Sequence, residues 1–145
     1  MKTPTKTVSQ QALSLRRLPA TTSLSLRCGR LRWRGELQPT ALSMRYTVGI
    51  DYAPPTHPNV RVISPKLRRP DDKRLPHVFR DGSLCLCYDW QWRASESIAT
   101  TIVPWASEWL LHYELWLVTH TWHGGGHGTE HDSLRDLRGG NRVAA

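Results

Sequence analysis

No stretch of the 145 residues is apolar for long enough to cross a bilayer, and the first twenty residues hold no apolar segment of the kind that directs export. A soluble, cytoplasmic protein is expected. Cysteine is also scarce. Cys28, Cys85 and Cys87 are too few and too irregular for a disulfide framework, and the pair Cys85 and Cys87 lacks the two-residue gap of redox and zinc pairs. All three are expected as thiols. Acidic side chains are rare in the first 80 residues, where 4 Asp/Glu stand against 16 Lys/Arg, while residues 81–145 carry 8 against 4. The chain is therefore +12 in one part and −4 in the other, for a net +8. With 39% hydrophobic residues it fits one domain with a single modest core, burying roughly two-thirds of its unfolded surface.

A basic half of this kind suits either nucleic acid or an acidic protein surface. Arg30, Arg32 and Arg34 alternate with Leu31 and Trp33, the pattern of a half-exposed strand with its charged side in solvent. That alternation favours a solvated strand face over a nucleic-acid footprint.

Apolar positions Ala12, Leu13, Leu15 and Leu18 predict a short amphipathic helix over 8–18, ended near Pro19. Residues 23–34, 43–52 and 59–63 are short apolar runs separated by Gly35, Pro39 and Pro54-Pro55, and read as antiparallel strands of a meander. Residues 68–74 form a charged turn, and 77–88 return as an irregular hairpin bent at Asp81-Gly82. Past Trp92 the period changes: Ile98, Ile102, Trp105, Trp109, His112, Tyr113 and Trp116 recur at three and four residues, one face of a helix packed on a sheet. Pro104 must lie in its first turn, so Thr100 or Thr101 is the expected cap. The tryptophans recur beside Leu110 and Leu117, which favours a core stripe over a ligand-stacking platform.

The chemistry concentrates in residues 75–88, Leu-Pro-His-Val-Phe-Arg-Asp-Gly-Ser-Leu-Cys-Leu-Cys-Tyr. Cys85 follows a glycine turn and stands eight residues after His77. A thiol with an ordinary pKa of about 8.5 is only slightly ionised at neutral pH, so exposure and nearby polar donors decide whether it reacts. The competing reading is structural: Leu84, Leu86 and Tyr88 would line one face of a strand, with Cys85 and Cys87 on the other.

The run Gly82-Ser83-Leu84-Cys85-Leu86, with Trp92 following, resembles the active-site segment of ubiquitin-conjugating enzymes, which read Gly-x-(Ile/Leu)-Cys-Leu and then Trp. Tyr52 followed by Pro54, Pro55, Pro58, Val60 and Val62 is similar to that family's segment leading into its third strand, so the resemblance spans about residues 24–117. It implies that Cys85 carries an acyl group as a thioester. The family's His-Pro-Asn tripeptide, whose asparagine stabilises the oxyanion eight residues before the cysteine, is matched in position by Leu75-Pro76-His77, with His77 replacing the asparagine. His57-Pro58-Asn59 spells the tripeptide literally but ends 26 residues before Cys85 and reads as loop.

A closer resemblance is to the bacterial branch found in antiphage cyclic-oligonucleotide signalling (CBASS) operons. It rests on Trp33-x-Gly35, Pro39, Tyr46, the Leu-Cys-Leu run, residues 104–110 (Pro-Trp-Ala-x-Glu-Trp-Leu) and residues 112–116 (His-Tyr-Glu-x-Trp). It implies an α+β, UBC-like fold: a four-stranded antiparallel meander packed on a central helix, with a short or absent N-terminal helix and truncated C-terminal helices. It further implies catalytic Cys85 and His77, no cofactor, and a partner nucleotidyltransferase related to the metazoan cyclic dinucleotide synthases (cGAS-like), whose C-terminus is conjugated. An activating enzyme is the second partner this chemistry allows. The corresponding organisation is a basic arm or short helix over 1–22, the UBC-like domain over 23–128 and a flexible tail over 129–145.

His120, His123, His127 and His131 recur at intervals of three and four with Glu130 beside them. Glycines at 124, 125, 126 and 128 argue against a helical metal face, at roughly 1 kcal/mol each relative to alanine. A chelating loop stays open, although no metal is assigned; the resemblance instead makes 119–128 a glycine-rich segment closing near the active cysteine. Leu137-Arg138-Gly139-Gly140 is similar to the end of ubiquitin-like modifiers, but five residues follow it and no modifier-like domain precedes it. Two rival functions remain beside acyl transfer. One is an inactive scaffold of the same fold that only binds a partner, against which an intact Cys85 argues. The other is a metal-dependent hydrolase using the tail histidines, which lack a metal-protease helix pattern.

Overall fold

The structure is a computed structural model that describes residues 2–87 and 91–123. Helix α1 (Val8–Arg16) precedes four strands, β1 (Thr21–Arg27), β2 (Arg30–Leu37), β3 (Tyr46–Tyr52) and β4 (Asn59–Ser64). A hairpin and two short 3-10 turns then lead to helix α2 (Ile102–Thr119). The strands form one antiparallel sheet in chain order, β1-β2-β3-β4, so every connection is local. This is the expected α+β meander with one long helix. Among the described residues no helix is long and apolar enough to cross a membrane.

Alternation builds the sheet. Leu31, Trp33, Gly35 and Leu37 of β2 point inward between exposed residues, and Tyr46, Val48, Ile50 and Tyr52 of β3 are buried at every second position. They share one core with Ile102, Val103, Ala106, Trp109, Leu110, Tyr113 and Trp116 of α2. Tyr46 meets Tyr113 edge to face at 6.4 Å, and its hydroxyl donates to Glu114 at 2.9 Å. Burial, and then that bond, push the Tyr46 phenol well above its ordinary pKa.

Residues 23–34, expected as one strand, are instead divided between the two arms of a hairpin. Cys28 and Gly29 form a two-residue turn with φ of 49° and 72°, the doubly left-handed geometry that matches strand twist. Cysteine is not a usual residue there, which is why the sequence conceals the turn. At Gly35 the backbone must stay bare, since the Trp33 ring lies across it and a Cβ would fall 2.2 Å from ring carbons. The Trp33 indole donates to the Thr21 hydroxyl at 2.8 Å, which donates to the Leu15 carbonyl at 2.6 Å, linking β2 to the end of α1.

Helix α1 begins with a capping box between Thr7 and Gln10. Its Gln11 is fully buried: the side-chain amide donates to the Glu96 carbonyl at 2.8 Å, and its oxygen accepts the Ile98 N–H at 2.9 Å. Leu15, also fully buried, completes the inner face. At the start of α2, Pro104 lies in the first turn as expected and Thr101 holds the cap position, but its hydroxyl does not cap. It donates to the Ser97 carbonyl at 2.6 Å and accepts the Trp92 indole N–H at 3.1 Å.

Candidate active site

The segment carrying Cys85 meets the sheet edge through a backbone bond from Leu84 N–H to the Val60 carbonyl of β4 at 2.8 Å. Within it, Phe79 N–H donates to Ser83 O at 2.8 Å, Gly82 N–H to Phe79 O at 3.0 Å, and Val78 bridges Leu84. Gly82, with φ of 86°, makes the reversal that the Asp81-Gly82 pair predicts. Leu84 and Leu86 are buried and anchor the returning arm.

Both thiols of this arm are half-buried. Cys87 packs against the core cluster and lines a cavity of about 60 Å³ with Leu84, Leu86 and Trp92. Cys85 is half-buried and stands outside the core cluster. Its backbone N–H donates to the His77 carbonyl at 2.9 Å, which fixes the start of the arm to its end.

His77 is held from three directions. Its backbone is left-handed, with φ of 52°. Its carbonyl accepts the Trp109 indole N–H at 3.2 Å as well as Cys85 N–H, and its ring lies 5.0 Å from that of Trp122. Trp122 also contacts Trp109 at 5.5 Å and His112 at 5.9 Å. His120, in a left-handed conformation at the end of α2, turns the chain back toward this cluster. Trp122, within the expected closing segment 119–128, therefore meets the hairpin at His77; residues 124–128 lie outside the described residues. Trp122 carries no periodic signal, being past the helix, and the sequence alone did not single it out.

Asp81 anchors the outer side of the hairpin. One carboxylate oxygen accepts the Ser83 hydroxyl at 2.5 Å and Ser83 N–H at 2.9 Å; the other meets Arg61 of β4 at 3.2 Å and Asn59 at 3.4 Å. Arg61 also donates to the Asp81 backbone carbonyl. The Ser83 hydrogen bonds, foremost the hydroxyl, with Arg61 adding attraction, lower the Asp81 pKa below the ordinary carboxylate value. Asn59 thus reaches the cysteine hairpin from the literal His-Pro-Asn tripeptide, a proximity that only sheet register creates. His57 of the same tripeptide packs edge-on to Trp92 at 5.8 Å.

His77 and Cys85 are joined through a backbone hydrogen bond. Asp89, a further polar neighbour in sequence, and the tail residues His127, His131 and 129–145 lie outside the described residues. Among the described residues no three His, Cys, Asp or Glu side chains gather as metal ligands.

Cys85 is thus a half-buried thiol on a turn whose backbone is bonded to that of His77. No curated protein matches the chain. A family model described as Type II CBASS E2 protein matches residues 10–130.

Proposed function

Since the chain belongs to the Type II CBASS E2 protein family, and so is an E2-like component of an antiviral defence system, we propose that it is a cysteine-dependent acyl carrier. The Cys85 thiolate attacks the carbonyl carbon of an activated C-terminal carboxyl on a protein partner, a cGAS-like nucleotidyltransferase. The new C–S bond forms as the bond to the activating group breaks, and that group leaves with the electron pair. An acceptor amine then attacks the thioester and loses a proton, and Cys85 departs as thiolate. An activating enzyme supplies the first step when the carboxyl arrives unactivated.

One observation carries this reading: Cys85 is a half-buried thiol whose own backbone N–H is pinned to the His77 carbonyl, while Cys87, equally half-buried, packs on the core cluster. His77 serves in one of two ways. As a neutral imidazole it donates a hydrogen bond to the oxyanion, and as a base it takes the proton of the incoming amine. His77→Asn separates them, because asparagine donates but cannot act as base: normal charging with slow discharge assigns the base role.

The deciding experiment is co-expression with the partner nucleotidyltransferase, read by non-reducing gels and intact mass spectrometry, for wild type and Cys85→Ala. A thiol-sensitive adduct confined to wild type is expected. The rival scaffold reading draws on the His77 ring, which lies against Trp122. No adduct, with partner binding unchanged in Cys85→Ala, decides for the scaffold.

A further inference from the structure

The sheet has a second face, turned away from α2, and its register concentrates guanidinium groups there. Arg30, Arg32 and Arg34 are exposed on β2, and Arg27, Ser25 and Ser23 are their cross-strand partners on β1. Toward β3, Arg32 pairs with Asp51 and Arg34 with Gly49; Gly49 in turn pairs with Arg61 of β4. Five arginines therefore share a surface whose central carboxylate is Asp51. That carboxylate is already engaged, by Arg30 at 2.8 and 3.0 Å and by Arg32 at 3.4 Å.

This face is concave. Residues 53–57 line one part of it, the Ile63 side chain lies over Gly49, and the hollow measures about 900 Å³. From this geometry we propose that the outer sheet face is a docking groove for an extended acidic segment of a partner protein.

The geometry selects this occupant over nucleic acid. Same-face arginines on β2 repeat at roughly 6.8 Å, two strand residues, which is the repeat of same-side carboxylates along an extended peptide laid over the strand. Guanidinium forks bind carboxylates through two parallel hydrogen bonds, so Arg34 and the free edges of Arg30 and Arg32 supply directional contacts as well as charge. Single-stranded nucleic acid requires exposed aromatic platforms for its bases. Here Trp33, the aromatic residue of β2, is buried on the opposite face. A duplex needs a helix or ribbon that protrudes into its groove, whereas this surface is hollow. The β4 rim of the groove, Asn59 and Arg61, also holds Asp81 of the Cys85 hairpin, so a segment seated here keeps its owner beside the thiol.

The test measures fluorescence anisotropy of a labelled peptide of alternating glutamate and serine, with a labelled oligothymidylate of equal charge as the second probe, at physiological ionic strength. The full-length protein is compared with Arg32→Glu/Arg34→Glu and with Lys66→Glu/Lys73→Glu, which makes the same charge change away from the groove. The peptide is expected to bind wild type and Cys85→Ala alike, and the groove pair to weaken it at least roughly tenfold, with the control pair within about twofold. Arg34→Gln, a milder change, should weaken binding in the same direction. No peptide binding, an equal loss in the control pair, or tighter binding of the oligothymidylate overturns the proposal.

Discussion

The β2–β3 ladder and the hairpin that carries Cys85 are separated by one strand, β4, and are held by different means. Seven consecutive residue pairs join β2 to β3, and their inward side chains vanish into one core. The hairpin is held by isolated bridges such as Val78–Leu84 and by a backbone bond from Leu84 to β4, rather than by a ladder; side chains add to its fixation, with Trp109 and Trp122 at His77 and Asp81 at Arg61 and Asn59. Burial makes the first region hard to perturb without unfolding. The second can be adjusted one contact at a time, as suits a segment whose residues must meet incoming groups.

This contrast is broken most severely from the ladder side. Trp33→Ala removes a buried indole and its bond to Thr21, and should lower unfolding free energy by about 3–5 kcal/mol in a denaturant titration. Gly35→Ala forces a methyl into the Trp33 ring, which its own hydrogen bond holds in place, and should cost about 1–3 kcal/mol by the same measurement.

On the hairpin side the effects are smaller and local. Trp109→Phe keeps a ring in the core but withdraws the N–H from the His77 carbonyl. With that bond worth about 1 kcal/mol, alkylation of Cys85 relative to exposed Cys28 should change roughly fivefold, as read by peptide mass spectrometry. An unchanged ratio would mean that the hairpin does not depend on this bond.

The smallest effect is electrostatic. The folded Asp81 carboxyl has a pKa lowered by Ser83 and Arg61, so its stabilising contribution is complete above the ordinary carboxylate pKa and is lost as pH falls through the lowered value. Hydrogen exchange at Ser83 N–H should therefore quicken, relative to the β2–β3 amides, as the medium is acidified through that range. In Asp81→Asn this extra acid sensitivity should disappear. Because the carboxylate is exposed, global stability should hardly move.

How much of this was legible in sequence follows from how each region is held. Alternation in β2 and β3 and the three-and-four spacing of α2 report burial directly, so the sheet and the long helix could be read. The turn at Cys28-Gly29 could not, because a cysteine stands where asparagine or aspartate would announce it. Thr100 or Thr101 was expected to cap α2; Thr101 takes the position, yet its hydroxyl serves Ser97 and Trp92, a competition decided by tertiary neighbours. Cys85 and His77 were singled out by the family motif, and the structure joins their backbones. The contacts that fix them were not legible: Trp122 follows no period, and Asn59 reaches Asp81 across 22 residues of chain. The arginines of β2 read as a solvated face, and only the register with β3 and β4 reveals the hollow they surround.

The buried carboxamide of Gln11 has a topological consequence. By bonding Glu96 and Ile98 it ties sequence positions 85 and 87 residues apart, which makes it a non-covalent clasp around a loop enclosing the whole sheet. Closing so long a loop is entropically slow and gains nothing until both ends are in place. The N-terminal helix should therefore dock after the meander has formed. In an unfinished molecule the loop preceding α2 lacks its clasp, and a truncation that removes α1 would leave the buried Ile98 N–H without its acceptor.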